Sequence, residues 1–183
     1  MTMTFLACKQ KVKNRGRPPV AFLTDLVMWA RSAPDSIFLQ NDAYDVYSSI
    51  APQLGPWTDL KHRKAAMLEA LRVLGGFESS WNWQVGRDMN NPTSNTPCTE
   101  EAGMFQCSGN SMRIDAALAA LAQQHGVTDC ASFIVTTKAD RQFAIDYCAR
   151  LLRCTVNHHG PVKRKEINQW LRREAVQEFA ALL

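Results

Sequence analysis

The chain of 183 residues has a formal net charge of +4, is 46% hydrophobic and 21% charged, and contains no apolar run long enough for a membrane-spanning helix. That size suits one domain and allows a proper core, which argues against a disordered or fibrous chain and reads as a soluble globular protein. The charge is uneven, because Lys9, Lys11, Lys13, Arg15 and Arg17 lie close together with no acid among them. The reading is therefore a basic arm over residues 1–17, solvated and mobile, ahead of a single domain over 18–183. Met1 to Lys13 does not read as a secretory signal, since Phe5-Leu6-Ala7-Cys8 is short and the positive charges follow it.

Taken in order, the elements are mostly helical. After Pro18-Pro19, the residues Leu23, Leu26, Val27 and Ala30 recur at helical spacing and predict a first amphipathic helix. Residues 35–50 read as a helix, or a helix and a turn, and Pro52-Gln53-Leu54-Gly55-Pro56 reads as a break. The strongest pattern begins near Thr58, with Leu60, Met67, Leu71 and Leu74 on one face and Lys61, Arg63, Lys64 and Glu69 at polar positions. Gly75-Gly76 reads as its end or its last turn. Residues 86–101, rich in Asn, Asp, Pro, Ser and Thr, read as a long loop. Ser111 is placed to cap a helix carrying Ile114, Ala117, Leu118 and Leu121, and Phe133-Ile134-Val135 reads as a short strand or buried chain. Phe143, Tyr147 and Leu151 mark a further helix, and Ile167, Trp170 and Leu171 a last one. The expected class is mainly α.

The six cysteines contain no C-x-x-C pair, which argues against thioredoxin-type and zinc-ribbon sites. Cys98 and Cys107 flank the end of the polar loop, where a bridge would rigidify it. Cys130 is placed to pair with Cys148 or Cys154, and plain buried thiols are the alternative. Bridges, if formed, imply an oxidising compartment. Cys154, His158 and His159 offer metal donors. Adjacent histidines in a Gly-Pro turn with no fourth ligand argue against a metal there, and neither metal nor cofactor is assigned.

Glu78 is the candidate catalytic residue. It falls at a helix end between Phe77 and Trp81, and both the helix terminus and apolar neighbours disfavour a bare charge, which suits a proton donor. Local physics leaves a solvated glutamate, or one paired with Arg72 or Arg87, equally open. Glu78-Ser79-Ser80-Trp81, a polar insertion, and then Gly103-Met104-Phe105-Gln106 resemble the active-site signature of the lysozyme-like superfamily. In soluble lytic transglycosylases and goose-type lysozymes, a helix ends in Glu-Ser, and a later Gly-Leu-Met-Gln turn lines the sugar cleft. The direct match covers about thirty residues here.

That resemblance implies a lysozyme-like helical domain with a long active-site loop, acting on peptidoglycan. Glu78 would protonate the glycosidic oxygen, and Ser79, Trp81, Gly103, Gln106, Ser108 and Asn157 would contact the glycan. Goose-type enzymes carry an aspartate at the place of Ser108, so that carboxylate is missing. Asn157 stands in for the late Tyr-Asn motif. The second catalytic group is then Glu101, favoured over Asp88, at roughly 6.5–9.5 Å from the acid for inversion or about 5–5.5 Å for retention. Use of the substrate's acetamido group is the third option, and attack by the muramic 6-hydroxyl would make a lytic transglycosylase.

Within the superfamily, the chain looks most like peptidoglycan glycoside hydrolase effectors of type VI secretion. That likeness implies export without a signal peptide, action in a target cell's periplasm, a cognate immunity protein over the active site, and neither nucleic-acid nor membrane partners. The competing class is a basic nucleic-acid-binding module built on the arm and a helix over residues 163–173.

Overall fold

In a computed structural model the chain is described from residue 3 to residue 183, and it is mainly helical, as its periodicity predicts. Among the described residues there are eight α-helices: α1 (Val20–Ser32), α2 (Val46–Leu54), α3 (Leu60–Ser79), α4 (Ala116–Gln124), α5 (Cys130–Ala139), α6 (Arg141–Cys154), α7 (Gly160–Lys163) and α8 (Arg173–Leu182). Among the described residues the one sheet is an antiparallel pair, β1 (Glu101–Ala102) and β2 (Cys107–Ser108), with Ala102 opposite Cys107, beside an isolated bridge between Val12 and Gly16. Between Ser79 and Glu101 the chain makes turns only.

Helix α3 is the axis of the fold. Asp59 caps its start, accepting from the His62 amide at 2.7 Å. Every residue from Ala65 to Phe77 is buried, so the helix is covered all round and not along one stripe. The polar positions expected at Arg63 and Glu69 are therefore corrected: both are buried, and Glu69 has no exposure at all. Its charge is matched from inside, because Arg72 Nε and Nη2 donate to the two carboxylate oxygens at 2.6 and 2.8 Å. The Arg172 amide adds a third donor at 2.9 Å. Burial works against the Arg72 charge, but Glu69 more than offsets it and holds the guanidinium protonated.

Gly75 and Gly76 mark the last turn of α3, the second of the two expected places, and their carbonyls accept its closing bonds from Ser80 and Trp81. The helix runs through them to Ser79, and Ser80 closes it in the left-handed region at φ 54°. The glycines also serve close approach: a Cβ on Gly76 would stand 2.7 Å from the Trp81 ring. Trp81 folds back along the helix and donates from Nε1 to the Arg72 carbonyl at 2.9 Å.

Four further expectations change for local reasons. Pro52 lies inside α2, and the break comes at Gly55-Pro56. Phe133-Ile134-Val135 is helical, within α5, because Asp129 and Ser132 form a reciprocal capping box just upstream. Ser111 caps nothing; its hydroxyl is buried against the Ser108 carbonyl and Tyr147, and Asp115 caps α4. The segment 163–173 is broken into the end of α7, a 3-10 turn at Glu166–Trp170 and the start of α8, so it is no continuous basic helix.

The basic arm is not a free terminus. Phe5, Cys8 and Val12 belong to the core, and Cys8 Sγ donates to the Ala175 carbonyl of α8. Glu178 of α8 accepts from the Leu6 and Cys8 amides at 2.6 and 2.7 Å. Burial alone would raise the Glu178 carboxyl, but the amides of Cys8, Leu6 and Ala7 outweigh it and hold the group below its ordinary value of 4.5. A depressed carboxylate contributes stability above its unfolded pKa and loses it as pH falls through the folded one. Glu178→Gln is thus expected to cost about 1 kcal/mol at neutral pH and to flatten the acid limb of stability. Thermal melts of both proteins, taken from neutral pH down through the carboxylate range, check this.

Candidate active site

A cleft of about 790 Å³ opens beside the C-terminal end of α3. Glu78 and Phe77 form one wall, Glu101 and Gln106 another, and residues 85–92 a rim. His158, His159 and Pro161 close the far side, with Arg15 of the N-terminal segment and Arg164 at its edge. A smaller pocket of about 320 Å³ between the start of α3 and α8 holds none of the candidate catalytic or glycan-contacting residues.

Three of the predicted residues meet in this cleft. Glu78 sits in the last turn of α3 with its side chain 18% exposed. Glu101 lies on β1, where Asn91 Nδ2 donates to Oε1 at 2.8 Å and Oε2 is buried without a donor. A buried carboxylate oxygen of this kind calls for a donor such as an ordered water or a ligand hydroxyl. Asp88, the other candidate, lines the rim but spends Oδ1 on the Asn90 amide at 2.8 Å. Gln106 sits at φ 50° and donates from Nε2 to the Gly103 carbonyl at 2.9 Å.

The other predicted contacts fall elsewhere. Trp81 is buried against the α3 glycines and is not free to stack on a sugar. Trp83 packs edge-on to Phe22 and Phe105. Ser79 turns its hydroxyl back to the Gly75 carbonyl. Gly103 has φ 71°, and a Cβ there would meet Thr137 of α5 at 3.0 Å, so the glycine admits a helix and not a ligand. Ser108 is buried and donates to Asn110, while Asn157 is exposed and outside the cleft lining.

His159 is the residue the sequence reading undervalued. It stands just before α7 without a side-chain capping bond, is 1% exposed, and directs Nδ1 at Glu78 Oε1 from 3.5 Å. Its Nε2 faces two buried thiols, Cys107 Sγ at 3.9 Å and Cys148 Sγ at 3.7 Å. Burial disfavours the charged imidazole, but Cys107 and Glu78 together push it up to about 10. A hydrogen bond from Cys148, helped by His159, holds the Cys107 thiol down to about 6 against its burial. Burial and the neighbouring His159 push His158 down to about 3, which keeps that ring neutral. The signal available in the sequence was His-Gly-Pro, with the proline at the first turn of a helix.

The cysteines pair differently from either expectation. Cys98 bonds to Cys130, tying the polar turns to the start of α5, while Cys107 is a free thiol on β2 and Cys154 an exposed one at the end of α6. Gly109 admits the bridge, since a Cβ there would lie 3.0 Å from Cys130. Its sequence separation of 32 gives a loop-closure contribution of about 3–4 kcal/mol in the chain-entropy model. The pair Cys98→Ser and Cys130→Ser is expected to lose that much in urea unfolding, visible as a shifted midpoint.

No protein family, no curated protein and no solved structure matches this chain.

Proposed function

We propose that the chain is a lysozyme-like glycoside hydrolase that cuts the glycan strand of peptidoglycan, with Glu78 as the proton donor. The observation that carries the reading is the meeting of Glu78, Glu101 and Gln106 in one cleft. These are the acid, the favoured second carboxylate and the glutamine of the two-part signature, and the acid lies on a different element from the other two.

In this mechanism the glycosidic C–O bond breaks as Glu78 delivers a proton to the leaving oxygen. His159 is a positioning residue: its buried ring sets Nδ1 3.5 Å from Glu78 Oε1 and so fixes where the carboxyl stands in the cleft. Glu101 takes a proton from the attacking water; it is half-buried in the cleft with one oxygen lacking a donor, whereas Asp88 is exposed on the rim. Arg87 is a polar contact available to sugar hydroxyls and lactyl carboxylates along the cleft, and the side-chain oxygen of Gln106, whose Nε2 is held by Gly103, can accept from sugar hydroxyls. A lytic transglycosylase would use the same acid, with the muramic 6-hydroxyl in place of water.

The setting proposed with it is that of an antibacterial type VI effector working in a target periplasm, and an immunity protein would seat on this cleft. Purified sacculi incubated with the wild-type protein test the activity. Soluble muropeptides with reducing ends are expected, anhydro ends would move the assignment to transglycosylase, and no soluble product would overturn it. The nucleic-acid reading gains nothing from the helix it was built on, because the residues 163–173 form no continuous helix.

A further inference from the structure

Behind the cleft, β2, the middle of α6 and the turn before α7 bring two cysteines and two histidines close together. Cys107 comes from β2, Cys148 from α6, and His158 and His159 from the turn. Donor atoms of Cys107, His158 and His159 all lie within 4.8 Å of one another. Cys148 Sγ approaches the His159 ring from 3.7 Å and Cys107 Sγ from 3.9 Å, both at Nε2. Zinc–sulfur bonds near 2.3 Å and zinc–nitrogen bonds near 2.0–2.1 Å place the N and S atoms of a tetrahedral site about 3.5 Å apart. The two sulfur–His159 separations need to close by only a few tenths of an ångström, whereas the spread of up to 4.8 Å among Cys107, His158 and His159 needs to close by about 1.3 Å.

Two further observations point the same way. Both thiols are fully buried, and neither is part of the disulfide. The second nitrogen of His159 is aimed at a carboxylate, Glu78, which is the arrangement that orients metal-bound histidines elsewhere.

We propose that Cys107, Cys148, His158 and His159 bind a thiolate-preferring divalent cation, zinc in the first instance, as a structural site behind Glu78. Two thiolates and two imidazoles form a tetrahedral donor set of the kind that selects zinc over calcium or magnesium. Binding at both sulfurs and at His159 Nε2 releases the protons those atoms carry into solvent and leaves the His159 Nδ1–H directed at Glu78. The cation would join β2, α6 and the α7 turn, and it would fix the ring that positions the acid. Cys154, the sequence's first choice of sulfur donor, is exposed at the end of α6 and takes no part.

The test uses the full chain with cobalt(II) as a spectroscopic substitute for zinc. One equivalent is expected to give a thiolate-to-cobalt charge-transfer band and visible bands of tetrahedral intensity, both erased by one equivalent of zinc. Cys107→Ser and Cys148→Ser are each expected to abolish the charge-transfer intensity contributed by that thiol. His158→Ala, at a half-buried position, covers the chance that a core variant does not fold, and it is expected to weaken cobalt binding at least tenfold. Glu78→Gln is expected to weaken it about 10–100-fold, as loss of an outer partner does. Absence of a thiolate band in protein whose Cys107 and Cys148 titrate as free thiols would overturn the site. So would a native disulfide between those two residues. Neither readout depends on hydrolytic activity, so failure here and failure of the glycosidase reading are separable.

Discussion

Glu78→Gln is expected to lower the rate of muropeptide release by about 10²–10⁴-fold, the range that positioned acid–base groups supply. Glutamine keeps the size of the side chain and its place in the last turn of α3, but it has no proton to give. The loss should appear in turnover, with binding to sacculi little changed, because an interaction realised only in the transition state has gone. Glu101→Gln separates the mechanisms. A comparable loss fits a carboxylate that activates water, whereas a loss under about tenfold fits assistance by the substrate's own acetamido group. Unfolding midpoints close to wild type would show that both variants remain folded, since Glu78 is partly exposed and Glu101 only half-buried.

The second large effect concerns stability. Arg72→Met is expected to cost about 3–5 kcal/mol, because it strands the Glu69 carboxylate at zero exposure. It also removes the donors to the Gln10 and Trp170 carbonyls, so the N-terminal segment and the turn before α8 loosen together. The double variant Glu69→Gln, Arg72→Met takes away the stranded charge and is expected to recover most of the loss. Urea unfolding of both variants decides between them. A double variant no more stable than the single one would mean that the pair itself, and not the orphaned charge, carries the energy.

How legible this was in the sequence depended on which signals are local. The periodicity of α1, α3 and α6 and the capping aspartates are local, and the mainly helical class follows from them. The close-approach role of Gly75-Gly76 was not, because it depends on the Trp81 indole folding back across them. A helix-ending signal and a close-approach signal look alike until the neighbour is known. Glu69 and Arg72 read as a solvated polar position and a possible partner for Glu78, since three residues apart on a helix gives no hint that both faces are covered. The basic arm likewise conceals Phe5, Cys8 and Val12, whose burial depends on α8 at the opposite end of the chain.

The candidate site divides in the same way. Glu78, Glu101 and Gln106 were reachable from motif order, and they share a cleft. Trp81, Ser79, Gly103 and Ser108 belong to the same motif, but they serve as its internal scaffold: indole on glycine, hydroxyl on carbonyl, glycine under α5. Residues beside a catalytic group in sequence are often those that hold its backbone. His159, Cys107 and Cys148 come from three separate elements, so no spacing rule assembles them. The Cys98–Cys130 bridge escaped for the same reason, as α5 returns beside the polar turns only in the folded chain.

The most direct measurement is digestion of sacculi in oxygen-18 water, followed by mass spectrometry of the released muropeptides. A hydrolase that activates water places one heavy oxygen at each new reducing end, and Glu78→Gln should leave too little product to detect over the same period. Products formed without label would mean that water is not the acceptor. Labelled products in equal yield from Glu78→Gln would contradict the central claim, because the bond would then be cut without this acid.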